Sequence, residues 1–214
     1  TRVNKGMCNT LNEIAEQSSG KYISFIGSDD YWFLNKIEKQ VKFLKDNPKL
    51  VLVHSKSIKV DENDREIGFL DYSNKKNSGN LFEAIIKGRG GINTPSHLYR
   101  TDIYKKIGYY DPALKFEDTD FWLRLTKVYK VGFINKYHTF YRWHSGNLSG
   151  SKNILKFYNE ELVKIYKKNI DDKELKKFAI LKIYRKSFLR AIRTLEFKYF
   201  FQYLYNFIKT KFLN

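Results

Sequence analysis

Apolar and polar positions alternate along this chain in blocks whose period changes, and the blocks predict helix and strand in turn. From Asn9 to Gln17 apolar residues recur at helical spacing, and Ser18-Ser19-Gly20 supplies a stop. Lys21 to Ile26 is a short apolar run that reads as a buried strand. Asn35 to Asp46 is amphipathic, with Ile37, Val41, Phe43 and Leu44 near helical spacing. Asn47-Pro48 ends it, because the residue before a proline is pushed out of the helical region. Leu50 to Val60 reads as a second strand, closed by the turn Asp61-Glu62-Asn63-Asp64.

Residues 71–95 are rich in Asn, Lys, Ser and Gly and read as a long loop around a short helix, Leu81 to Lys87. A loop of that length is a candidate lid. Thr101 to Ile107 reads as a short helix, Glu117 to Val128 as a stronger one, and Gly132 to Tyr137 as a strand. Three helical segments follow: Ile154 to Lys168, Lys173 to Arg193 and Phe197 to Phe212. This order predicts an α/β layered domain over residues 1–150 and a basic, aromatic helical extension over 151–214.

Composition narrows the picture. The 214 residues, 42% hydrophobic and 17% aromatic, can bury a core and are not those of a disordered chain. The single cysteine, Cys8, excludes an internal disulfide framework and fits a reducing, cytoplasmic setting. No apolar stretch has the ~18–20 residues of a membrane span. The net charge of +17 is uneven: 16 Lys/Arg against 6 Asp/Glu after residue 150, and 24 against 17 before it. No recognised nucleic-acid motif accompanies that charge, so a nucleic-acid partner is not expected.

Two acidic motifs carry the candidate chemistry. Gly27-Ser28-Asp29-Asp30-Tyr31-Trp32 follows directly on the apolar run that ends at Ile26. Carboxylates at the end of a buried strand suit Mg²⁺ or Mn²⁺, which commonly take one or two of them plus phosphate oxygens. The alternative is an ordinary turn and helix cap. Glu117-Asp118 opens a helix, where acids are also stabilised by the dipole. Asp118 facing a cleft could take a proton from an acceptor hydroxyl, with Glu117 positioning the acceptor or the helix. Asp120 and Arg124, four apart, suit an ordinary helix-surface pair. His144 follows Tyr141-Arg142-Trp143 and precedes the small polar run Ser145-Gly146-Asn147, so it is a candidate for metal or diphosphate. His54, His97 and His138 lack such a context and read as structural. Together the motifs suggest metal-dependent transfer of a group from a phosphorylated donor.

In this order the motifs resemble family-two glycosyltransferases of the GT-A fold. The stretch from Asn4-Lys5-Gly6 through Asn12 to Gly20-Lys21-Tyr22-Ile23-Ser24-Phe25-Ile26-Gly27-Ser28-Asp29-Asp30-Tyr31-Trp32 is similar to the block leading into the family's Asp-x-Asp motif. Ile107-Gly108-Tyr109-Tyr110-Asp111 with Glu117-Asp118 and Arg124 is similar to the acceptor-side block. Tyr141-Arg142, His144 and Asn147-Leu148-Ser149 are similar to the closing motif. Two positions depart from the pattern: Gly27 stands where the family often has its first Asp, and Leu11 where it often has Arg.

The resemblance implies a Rossmann-like, mostly parallel sheet flanked by helices, and an inverting transferase of cell-surface polysaccharide assembly. It implies a nucleotide-diphosphate sugar donor, most commonly a uridine one, and a saccharide or lipid-linked saccharide acceptor. Asp29, with Asp30 beside it, and His144 would serve the metal and donor, the metal ligands being Asp29 and His144. Asp118 would be the base and Glu117 its neighbour. It also implies that about two βα units, of the kind that make a ~30-residue βαβ motif, precede Thr1 in the complete protein. A non-catalytic sugar-binding or partner-binding module is the alternative. The aromatic and lysine-rich run 197–212 suits an interfacial helix at an anionic membrane, on its inner face, or else simple packing.

Overall fold

The computed structural model describes residues 5–144, 146, 147 and 154–212, with 154–158 as helical backbone. The chain divides into two compact units, Thr1–Ala113 with Glu117–Asn147, and Leu114–Phe116 with Leu148–Asn214.

The first unit is α/β. Helix α1 (Met7–Gln17) leads into strand β1 (Tyr22–Ile23), then β2 (Tyr31–Trp32), α2 (Lys36–Asp46), β3 (Leu50–Val60) and β4 (Glu66–Leu70). After α3 (Phe82–Ile86) and a 3₁₀ turn (Thr94–Ser96) come β5 (Leu98–Arg100), α4 (Ile103–Ile107), α5 (Glu117–Val128) and β6 (Lys130–Arg142). The strands form one sheet in the order β1-β5-β3-β6-β2, with β4 also on β3.

The sheet is mixed rather than mostly parallel. Among the described strands only β3 and β6 run parallel, and the other strand pairings are antiparallel. The reason is local. The turn after Val60 is too short for a crossover, so β4 returns as a hairpin; the Asp61 carboxylate accepts from the backbone N–H of Asn63 (2.8 Å) and Arg65 (2.9 Å). Sitting at the centre, β3 is buried almost throughout, as a strand covered on both faces should be.

Two strands differ in length from the sequence pattern. The run Lys21 to Ile26 keeps only Tyr22–Ile23 as ladder, because its partner β5 is three residues long. Ser24 leaves the ladder and donates to the His97 carbonyl. β6 runs well beyond Gly132–Tyr137, because its far end is paired on both sides, by β3 and by β2.

The core of this unit joins Leu52, Tyr99, Tyr104, Phe121, Leu125 and Val131. Asn12 ties α1 to the turn after α4: its Nδ2 donates to the Tyr110 carbonyl at 2.8 Å and its Oδ1 accepts from the Tyr110 N–H at 2.9 Å. The Asp120–Arg124 pair is no surface pair. Asp120 is fully buried, and Arg124 meets it at 2.8 Å while donating to the carbonyls of Gly108 (3.1 Å) and Tyr109 (2.8 Å).

The second unit holds helices α6 (Ile154–Asn169), α7 (Lys173–Arg193) and α8 (Phe197–Phe212). Asp172 caps α7, accepting from the Leu175 N–H at 2.6 Å. Leu195, in the left-handed region at φ 56, turns the chain back, and Phe188 of α7 packs edge-on against Phe200 and Phe207 of α8. Among the described residues no helix is long and apolar enough to cross a membrane.

Candidate active site

The acidic turn Gly27–Asp30 sits between β1 and β2, and β2 pairs with the end of β6 through Tyr31↔Phe140 and Trp32↔Thr139. That pairing brings the residues following β6 onto the turn. His144 Nε2 lies 2.9 Å from Asp29 Oδ2, joining residues 115 apart in sequence. The Gly146 N–H donates to His144 Nδ1 at 3.1 Å, so in the neutral ring Nε2 carries the proton and donates to Asp29. This hydrogen bond is the main reason the Asp29 carboxyl is held below the usual carboxylate range. Asp30 is pushed the other way by burial, offset in part by the Arg142 N–H, which donates to Asp30 Oδ1 at 2.8 Å.

Arg142 extends this cluster. Its guanidinium donates to the carbonyls of Asp29 (3.0 Å) and Asp61 (2.7 Å) and to Asp64 Oδ1 (2.6 Å), while the Tyr31 hydroxyl donates to the same Asp64 oxygen at 3.1 Å. The hairpin turn after β3 thus braces the acidic turn. A Cβ on Gly27 would lie 2.9 Å from Asp29 Oδ1 and 3.1 Å from Asp30 Oδ2, so a side chain there would share the space of both carboxylates.

Asp118 is built separately, on the first turn of α5. It is partly buried; Thr94 Oγ1 donates to its Oδ2 at 3.3 Å and Thr119 Oγ1 to its Oδ1 at 3.2 Å. Burial raises its pKa, against those hydrogen bonds. Glu117 beside it is buried, 8% exposed. Thr94 is placed by the central strand: Ser96 Oγ exchanges hydrogen bonds with Ser55 (3.0 and 2.6 Å), Asn93 Nδ2 donates to the Ser55 carbonyl at 2.7 Å, and Gln40 Nε2 donates to the Ser96 carbonyl at 2.6 Å. Asp118 makes no described contact with Asp29, Asp30 or His144.

Thr94 and Arg142 therefore join the candidate site through contacts that the motifs did not disclose. A hydroxyl before a proline, Thr94-Pro95, was the available signal for the first; nothing local pointed to the partners of the second. The loop 71–95 is pinned rather than loose. His54 Nε2 meets the Asn77 carbonyl at 2.8 Å, Lys56 pairs with Asp71 at 3.1 Å, and Gly79 bridges to Val131. His54 and His97 are buried in the fold, and burial lowers their pKa to about 4 and about 3. Ser145, Leu148 and Ser149 of the closing motif lie outside the described residues.

Whether these residues suit a divalent ion can be tested on their donor atoms. Asp29 and His144 would suit the ion as one carboxylate and one imidazole, with phosphate oxygens and water completing the shell; ligation through Nε2 would move the ring proton to Nδ1, in place of the hydrogen bonds His144 now makes with Asp29 and Gly146. No group of three or more His, Cys, Asp or Glu suited to a metal occurs among the described residues.

The wider comparison agrees with this architecture. Residues 1–108 match the profile of Glycosyl transferase family 2, and the chain belongs to that family. It is 30% identical over 149 residues to the Escherichia coli UDP-Glc:alpha-D-GlcNAc-diphosphoundecaprenol beta-1,3-glucosyltransferase WfaP, covering 69% of this chain and 56% of that protein. The fold is similar to that of S. aureus TarS (TM-score 0.55, 19% identity, 84% of this chain and 31% of TarS). It is also similar to that of the mannosyltransferase PcManGT from Pyrobaculum calidifontis, solved in complex with GDP-Man and Mn²⁺ (TM-score 0.51, 14% identity, 89% of this chain and 55% of PcManGT). The fold is thus GT-A, with C-terminal helices, and the chain spans about half the length, or less, of the first curated relatives it matches.

Proposed function

We propose that this chain forms the metal and acceptor side of an inverting glycosyltransferase of polysaccharide assembly. The donor is a nucleotide-diphosphate sugar, taken as a UDP-sugar, and the acceptor a saccharide or lipid-linked saccharide. The observation that carries this reading is the pairing of Asp29 with His144 in the turn between β1 and β2, beside Asp30. WfaP, whose name gives a UDP-Glc donor and a lipid-linked acceptor, and the Mn²⁺ of PcManGT support the substrate and ion classes.

The chemistry divides by residue. Asp118 takes the acceptor hydroxyl proton as the oxygen attacks the anomeric carbon; the bond from that carbon to the diphosphate oxygen breaks and the nucleoside diphosphate leaves with the electron pair. A carboxylate suffices because the proton moves as the bond forms and the reactants are held in place. Burial of Asp118 strengthens it as a base, and Thr94 and Thr119 fix its direction. Glu117 sets the start of α5. Asp29 and His144 would hold Mg²⁺ or Mn²⁺, with Asp30 lining the donor side; when bound, the ion would offset charge on the departing diphosphate.

A membrane contact on the inner face fits the same reading. On α8, Phe197, Phe201, Tyr205, Ile208 and Phe212 are all exposed and fall within roughly a quarter of the helix circumference at about 3.6 residues per turn, with lysines beside them. The experiment for the transferase reading is Mn²⁺-dependent turnover of nucleotide sugars by the full-length protein, abolished in Asp29→Ala. For the membrane contact it is sedimentation with vesicles containing anionic lipid, lost in Phe201→Asp.

A further inference from the structure

Lys36, the first residue of α2, is fully buried. Among the described residues no carboxylate pairs with it. Its Nζ donates to Ser24 Oγ at 3.1 Å and lies 3.4 Å from the His97 carbonyl oxygen and 4.1 Å from the centre of the Trp32 ring. A buried cation at a helix N-terminus, without a counter-ion, is costly; an apolar side chain of its size would fill the space without that cost.

Its three contacts converge from both arms of the site. Ser24 stands three residues ahead of the acidic turn Gly27–Asp30 and Trp32 two residues after it, so Lys36 grips the turn from both sides. His97 closes the segment whose Thr94 holds Asp118, and Ser24 also donates to the same His97 carbonyl. We propose that Lys36, as an ammonium, is a positioning residue that sets the acidic turn in register with the segment carrying Thr94 and Asp118. A cation binds oxygen acceptors and an indole face more strongly than a neutral amine does, and more so when desolvated.

Burial lowers the pKa of Lys36 to about 7. His97 is lowered to about 3, first by burial and then by Lys36 itself; His138 of β6 is lowered by burial and by Lys36 and Lys39. Because the folded pKa lies below the ordinary 10.5, the unfolded chain binds more protons between about 7 and 10.5. Folding stability therefore rises with pH across that window, whereas the positioning role weakens as the ammonium is lost. A merely structural lysine would not give opposed trends.

The kinetic arm rests on the transferase reading; the first arm of the test does not. In full-length protein, an NMR pH titration should show the amides of Ser24 and Trp32 at the two ends of the acidic turn, and of Thr94 and Asp118, sharing one inflection near pH 7, absent in Lys36→Met and Lys36→Arg. An inflection confined to one arm, or persisting in Lys36→Met, overturns the proposal, and the wild-type titration decides even if a variant fails to fold. With a nucleotide sugar that the wild type turns over, Lys36→Met should lower kcat about 10- to 100-fold, the range for small misplacement of reacting groups, with donor KM changed less than about twofold. Lys36→Arg should keep activity above pH 7 where the wild type loses it. Shared inflections without turnover would leave the positioning role standing and remove the transferase reading; turnover without shared inflections would do the reverse.

Discussion

His144 and Asp29 meet at 2.9 Å across 115 residues of sequence, and the contact exists because β2 pairs with the end of β6. If this pair holds the divalent ion, Asp29→Ala and His144→Ala should each remove metal-dependent turnover by about 100-fold or more, in line with several kcal/mol of charge stabilisation. Calorimetric Mn²⁺ titration in the presence of nucleoside diphosphate should show the same loss. Unchanged Mn²⁺ affinity in both variants would remove the pair from the metal site.

If Asp118 is the base, activity and stability should pull apart at this residue. Its folded pKa is raised by burial above the ordinary 3.8, so the folded state holds the proton to higher pH than the unfolded chain does. Stability therefore falls as pH rises through the window from 3.8 to the folded value, and the ionised form carries that cost at neutral pH. Asp118→Asn should lose turnover by about 100-fold or more, as expected for a general base, while its thermal midpoint at pH 7 stays level or rises. A variant that loses activity together with stability would indicate a structural acid.

Arg142 braces the acidic turn through the Asp29 carbonyl and the hairpin carboxylate of Asp64. Arg142→Ala should lower kcat/KM about 10- to 100-fold by loosening a turn that presents reacting groups. Asp64→Ala, which removes only one exposed end of the brace, should cost less. Equal effects would mean that the Arg142–Asp64 contact carries the bracing alone.

Loop 71–95 closes on a glycine. A Cβ on Gly91 would fall 2.6 Å from Tyr72 Cε1, so Gly91→Ala should displace Tyr72 and destabilise the fold by about 1–3 kcal/mol, the usual cost of overpacking. Urea unfolding of wild type and variant would measure it; an unchanged midpoint would mean that the loop gives way freely.

The long helices and the central strand were legible in the sequence, since α5, α7, α8 and β3 carry periodicity and stops within their own residues. The short strands β2 and β5 were not, because two or three residues hold no period; their partners, not their own composition, make them strands. The turn Asp61–Asp64 was legible, but β4, the strand that returns from it antiparallel to β3, was not. The acidic pair and His144 stood out by residue type, and the structure adds the contact between Asp29 and His144. Thr94 and Lys36 did not stand out, because each acts through neighbours dozens of residues away.

The most direct measurement is Mn²⁺-dependent hydrolysis of a panel of nucleotide sugars by the full-length protein, alongside Asp29→Ala and Asp118→Asn. The account predicts turnover of one donor, lost on removing the metal and in Asp29→Ala, with Asp118→Asn still binding that donor but failing to transfer it. Failure to bind any nucleotide sugar, with or without Mn²⁺, would contradict it.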